Sequence, residues 1–447
     1  MRFSEFVPYY RRNLRVAFPV MLTQLGGALV GLVDSVMVGH YSTTDLAAVT
    51  FANGIFFTVM VFTMGAVMGV TPLVGHAFVQ NDYDRVGQML RNGLDFTWLL
   101  TIIGCLILAA ALPFLNHMGQ DPDVAQTARP YYITRLIGLV PFMLYCLSKQ
   151  FLEGLGNTLV AMLITTVCNL LNIVLNYILI FGHLGFPALG AYGAGLASLI
   201  ACTLMPLSFL GVMLWHKPWR RYLSGAFHHG RSSFAQIKAL AKVSLPIGLQ
   251  TFVEAFLFTL SYIMVGWIGK EAQAAHMVSN QVADLTFMLA LGIGSATTIR
   301  VSHQYGRHDY HAMRMAARAS VHLVLLMNAI GATLMISLRN YIPLLFTDDP
   351  EVIRIVSRLL IYAGVFQFSD GLQCVGAGAL RGITDVKRPM VYAVITYILI
   401  ALPVGYFAMF TAGLGVDGIW LSFILALALA AIFFHARFWR LALKMGD

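Results

Sequence analysis

Long apolar runs separated by short polar breaks dominate this chain from end to end. A helix needs about 20 apolar residues to cross a bilayer. Runs of that kind occupy 15–38, 46–78, 92–114, 130–150, 160–182, 188–215, 241–268, 276–299, 317–338, 354–379, 388–410 and 414–436. Hydrocarbon offers no water to the backbone, so each run must satisfy its own N–H and C=O groups as a helix. The dyad alternation of a membrane barrel is absent. The pattern predicts an all-α polytopic membrane protein with twelve transmembrane helices. The second run is long enough to bend or to project beyond the bilayer.

The polar positions repeat. Pro19 in AFPVMLTQ matches Pro246 in SLPIGLQT, and Met37-Val38-Gly39 matches Met264-Val265-Gly266 at the same offset. Asn53 then falls on Asn280, Gly65 on Gly292, Thr71 on Thr298, His76 on His303, and Asp82-Tyr83 on Asp309-Tyr310. Further on, Leu152-Glu153-Gly154 aligns with Leu380-Arg381-Gly382, and LGAYGAGL (189–196) with LGVDGIWL (414–421). Six spans per repeat is an even number, so both halves run in the same orientation. They are expected as two six-helix bundles related by a pseudo-two-fold axis along the membrane normal. The expected boundaries are 1–215 for the N-terminal bundle, 216–240 for a polar linker and 241–447 for the C-terminal bundle. Two like bundles around one central cavity form a transporter architecture.

Composition sharpens this. Charged residues make up 11% and hydrophobic ones 58%, where a soluble domain carries roughly 25% charged residues. The formal charge of +9 does not point to nucleic acid, because the basic residues lie in short loops rather than on one soluble face. Of 29 Lys and Arg, 23 fall in loops and flanks on the side of the termini. That bias predicts cytoplasmic termini and an inner (cytoplasmic) membrane location. The first run follows Arg11, Arg12 and Arg15 with no small-residue cleavage site, and reads as a retained span. Cys105, Cys146, Cys168, Cys202 and Cys374 all lie in spans without a CxxC, so they imply neither disulfides nor a metal centre.

Four acids lie inside apolar spans: Asp34, Glu254, Asp284 and Asp370. Such residues face a bundle interior or a water-filled cavity and mark ion, proton or cation routes. At the repeat offset Asp34 corresponds to Ser261, and Glu254 to Gly27. The acids are thus not part of the shared scaffold, and each half carries its own.

Several motifs together resemble the multidrug and toxic compound extrusion (MATE) transporters, over essentially the whole chain. They are VGLVDSVMVGH (30–40), LAAV (46–49), the Pro-bearing starts of spans 1 and 7, and GALRGITD (378–385). Glu254 with Asp370 resembles the NorM-type branch. The resemblance implies export of bulky, cationic or amphipathic small molecules, driven by inward Na⁺ or H⁺ movement. It implies an N-half cation site at Asp34 with Asn172 and Asn176, and a C-half site around Glu254 and Asp370. In some Na⁺-coupled members a Tyr stands one turn before the span-10 acid; this chain has Phe366 there. Asp284 is an acid outside that pattern.

The residues themselves leave choices open. Asn172 and Asn176 are four apart and share a helix face. With Asp34 they offer one charge and two amide oxygens, a low-charge set for Na⁺. Their other reading is interhelical hydrogen bonding. Ser198 reads as an additional oxygen or, more simply, as packing. Glu254 and Asp370 would bind Na⁺ or exchange protons, or else join a polar network with Gln250, Gln281 or Gln367. Asp284 would complete that C-half site or attract cationic drugs into the cavity. Gln24, Phe51, Asn53, Asn280, Gln281 and Phe366 are expected to line the substrate cavity. His76 and His303 read as a pH sensor or as structural caps, and Gly378 with Gly382 as a close helix contact. No prosthetic cofactor is expected, only Na⁺ or H⁺ as coupling ion, and the partners are small molecules and the lipid bilayer around a monomer. A lipid-linked saccharide flippase of the same superfamily is the alternative. It would need basic residues in mid-span, where this chain is acidic. An integral membrane enzyme is a further alternative, disfavoured by the lack of any HExxH, phosphate loop or Ser/His/Asp set.

Overall fold

The computed structural model describes residues 3–228 and 232–445. Twelve of its helices are long and apolar enough to cross a membrane. In chain order they are α1 (Glu5–Tyr41), α2 (Thr43–Val79), α3 (Tyr83–His117), α4 (Pro122–Gly154), α5 (Thr158–Phe181) and α6 (Gly190–Trp215). After a shorter helix, α7 (Lys217–His228), come α8 (Phe234–Gly266), α9 (Lys270–Gly306), α10 (Tyr310–Ser337), α11 (Pro350–Gly382), α12 (Lys387–Thr411) and α13 (Val416–Lys444). Among the described residues there is no strand. Several helices reach well beyond the apolar runs that announce them. α1, for instance, continues back through Arg15, Asn13, Arg12 and Arg11 to Glu5, past polar positions where the apolar run stops.

Helix starts follow local chemistry. Ser42, Asp82, Asn157 and Asp309 each accept a backbone N–H three residues on, which satisfies an orphan donor of the first turn. Asp82 and Asp309 are repeat-equivalent, and so are the left-handed residues before them, Asn81 (φ 57°) and His308 (φ 58°). α2 breaks at Met68–Gly69, the bend anticipated for that long run. In α12 a wide-turned π segment, Val394–Ala401, leads directly to Pro403. Proline has no N–H to continue the regular ladder.

The chain forms two compact units: Leu22–Gly248, and Met1–Met21 together with Leu249–Asp447. Their boundaries fall inside α1 and α8, not at the 216–240 linker expected from the repeat. Asn13 donates to Ser320 Oγ and to the Ala316 carbonyl, both at 2.9 Å, while Phe6 packs on Met315 and Ala319. In the Leu22–Gly248 unit, Asp95 accepts the Ser232 N–H at 3.0 Å. The expected linker is itself mostly helical. Tyr222, Leu223 and Ala226 of α7 are buried in the unit core, a consequence of its amphipathic spacing. Close contact between α9 and α11 depends on glycine. A Cβ on Gly378 would collide with the Gly294 carbonyl oxygen, and one on Gly382 would sit 2.7 Å from Val301. That approach, anticipated for this glycine pair, brings the polar face of α11 against α9.

Candidate functional site

In the Leu22–Gly248 unit, Asn172 and Asn176 project from one face of α5, since four residues make about one turn. Both are buried. Asp34 of α1 meets that face, and the Asn176 amide nitrogen donates to its Oδ1. Asn172 lies 3.3 Å from the same nitrogen. With its own amide turned nitrogen-first it donates to Asp34 Oδ1 at 3.1 Å and accepts the Ser198 backbone N–H at 3.3 Å. Ser198 thus contributes its backbone here, not its hydroxyl. Arg135 of α4 adds electrostatic attraction to Asp34, with its guanidinium 5.9 Å above the Phe56 ring. One cation and two amide dipoles therefore act on Asp34. The same amides, turned oxygen-first, would join the carboxylate around a small hard cation.

In the other unit, Glu254 of α8 and Asp370 of α11 interact electrostatically, and Asp284 of α9 also acts on Asp370. Asp370 is 2% exposed and Asp284 lies at an accessible surface. Glu254 Oε2 accepts a long 3.5 Å bond from Gln373, which is none of the three glutamines considered from the sequence. Among the described residues, Glu254 Oε1 and Asp370 Oδ1 are buried without a hydrogen-bond partner. Two residues missed in the sequence complete the group. Arg381, in the last turn of α11, attracts Glu254. Tyr397 of α12 is fully buried within electrostatic reach of Glu254, Asp370 and Gln373. Its hydroxyl, buried without a hydrogen-bond partner among the described residues, is a phenolic oxygen on another helix, where position 366 has Phe. The signal was a lone tyrosine in the aliphatic stretch 394–402.

The expected cavity residues take different positions. Gln24 accepts from Lys149 Nζ at 3.1 Å, and Asn53 Oδ1 accepts from the Tyr131 hydroxyl at 3.0 Å. Phe51 is half-buried against the unit core and Gln281 is exposed. Asn280 is buried, with its amide nitrogen 3.0 Å from His276 Nε2. Phe366 is 4% exposed and packs against Phe258, Trp420 and Phe423. It is a core residue, held there by aromatic contacts rather than turned to an open surface. Mid-span charge is also less one-sided than the sequence suggested. Arg135 lies within α4, and so does Lys149, 3.8 Å from the buried Glu153.

The MatE family model matches this chain twice, at residues 19–178 and 246–407. The two matches begin at the repeat-equivalent prolines. The chain is 32% identical over 452 residues to the probable multidrug resistance protein NorM of Rhizobium meliloti (strain 1021), covering 99% of this chain and 96% of that one. To the probable multidrug resistance protein NorM of Xylella fastidiosa (strain 9a5c) it is 31% identical, covering 97% and 92%. An outward-facing multidrug resistance MATE family transporter of the MOP superfamily shares the fold with a TM-score of 0.88 at 19% identity, covering 98% of this chain and 97% of that one. A MOP superfamily transporter from Pyrococcus furiosus, described as having a binding pocket of reversed polarity that suggests a different function, shares it with a TM-score of 0.87 at 19% identity and the same coverage. The family and these NorM relatives are transporters, not enzymes. With its model matched in both repeats and a NorM relative matched from end to end, this chain belongs to the MatE family.

Proposed function

We propose that this protein is a secondary active multidrug exporter of the cytoplasmic membrane, with both termini in the cytoplasm. It exchanges cationic or amphipathic compounds for Na⁺ or H⁺ by alternating access. The observation that carries this reading is the pair Glu254 and Asp370, two carboxylates within one apolar unit with, among the described residues, a single long side-chain hydrogen bond between them and their surroundings. A carboxylate pair away from water favours retention of a proton or a metal cation. An arriving organic cation competes for the same charge, and that competition links the two fluxes. Asp34 with Asn172 and Asn176 forms the second ion-binding group, and Asp284 attracts the organic cation. The basic mid-span residues do not favour an anionic substrate, because Arg135 acts on Asp34 and Lys149 on Glu153.

The test is ethidium transport in reconstituted vesicles, first under an imposed Na⁺ gradient and then under an imposed pH gradient. Transport driven by Na⁺ alone makes these groups Na⁺ ligands; transport driven by the pH gradient alone makes them proton carriers. No transport under either gradient would reject the exporter reading and favour a lipid-linked substrate.

A further inference from the structure

A groove of about 540 Å³ lies between α10, α11 and α13. Arg318, His322, His435 and Trp439 form its polar end, and Leu372 and Ile432 belong to its apolar floor. None of its lining residues is acidic. The polar end is built. The Arg318 guanidinium lies 5.0 Å over the Trp439 ring, and His435 Nε2 is 2.9 Å from the Leu372 carbonyl oxygen. Ile432 is 60% exposed in the middle of an apolar span, so the floor opens to hydrocarbon. Arg318 lies in the first third of α10 and Trp439 in the last third of α13, on the side of the chain termini, while His322 and His435 lie nearer mid-helix.

A similar groove in the Leu22–Gly248 unit makes the contrast. It measures about 560 Å³ and is lined by Cys105, Leu136, Val140, Leu144 and Thr203 among others, with no charged side chain. Any acyl chain suits it. The first groove adds a guanidinium and two imidazoles, beside a tryptophan of the kind that marks the interface.

We propose that the groove between α10, α11 and α13 is a binding site for an anionic phospholipid. Its phosphate would sit against Arg318 and the Nε2 edge of His322, whose Nδ1 is 2.7 Å from the Tyr10 hydroxyl of α1, and one acyl chain along Leu372 and Ile432. Basic pockets between membrane helices on the cytoplasmic side recognise such headgroups. The occupant is a lipid rather than a soluble anion because the floor is open to the bilayer. Leu372 adjoins Gln373, the partner of Glu254, so a lipid in the groove braces the helix that carries Asp370. This inference is independent of the coupling ion and of the exported compound.

The probe is native mass spectrometry of the detergent-solubilised full chain, titrated with phosphatidylglycerol or with phosphatidylcholine of the same acyl chains. Phosphatidylglycerol should be retained preferentially. The double variant Arg318→Gln/His322→Gln should lower its retention about fivefold, with phosphatidylcholine unchanged and Thr203→Val in the other groove neutral. If the double variant does not survive purification, the native protein serves: higher ionic strength should weaken phosphatidylglycerol retention alone. Equal retention of the two lipids, an unaffected double variant, the absence of a salt effect, or displacement by glycerol phosphate as effective as by the lipid would each overturn the proposal.

Discussion

The two units surround their in-span carboxylates differently. Asp34 has an arginine and two amides turned toward it. Glu254 and Asp284 both act on Asp370, with one long amide bond, one arginine and one phenol near the pair. A carboxylate that already receives strong donors is stable when charged. A crowded pair with few donors is most easily satisfied by a cation or a proton. The repeat has therefore produced two copies of a scaffold and two different electrostatic problems within them.

The sharpest way to break the comparison is to neutralise each acid. Asp370→Asn and Glu254→Gln should each abolish gradient-driven ethidium efflux, a loss of at least about a hundredfold if removing a charged hydrogen-bonding partner costs 3 kcal/mol. Protein detected in the membrane at native levels would show that folding is intact. Asn176→Ala comes next. It removes the amide that donates to Asp34 and should weaken coupling-ion affinity about tenfold, measured as the ion concentration for half-maximal efflux. Asn172→Ala should cost less, and equal losses would mean that the two amides act alike. Gly378→Ala tests the scaffold under the acid pair. The collision with the Gly294 carbonyl should destabilise the protein by about 1–3 kcal/mol, seen as a lower melting temperature in detergent. The smallest effect is expected from Tyr397→Phe, about fivefold in coupling-ion affinity. An unchanged affinity would remove Tyr397 from the group.

Much of this was legible along the chain. Twelve apolar runs gave twelve helices, and the matched prolines, caps and glycines marked a repeat that the family model meets again at 19–178 and 246–407. Asp34 and the two asparagines were legible because a single acid in an apolar run stands out and two amides four apart must share a face. Tyr397, Arg381 and Arg135 were less so. Each sits on a helix distant in sequence from the carboxylate it serves, and helical spacing says nothing about which faces of separate helices meet. Phe366, expected to line the substrate cavity, sits in the aromatic core for the same reason: its neighbours come from α8 and α13. The unit boundaries inside α1 and α8 were invisible because an apolar run carries no mark of a change in packing partner.

That last feature bears on how such a chain can be divided. Phe6, Asn13 and Ala17 anchor the start of α1 on helices of the second repeat, while α7 and the first half of α8 complete the first unit. A gene fragment encoding either repeat alone would encode an unfinished body, lacking one strap and carrying another with nothing to grip. Complementation between separately translated halves would require both in the same bilayer, each lending the other its leading segment. Duplication therefore left this protein with two copies that are no longer separable inheritances.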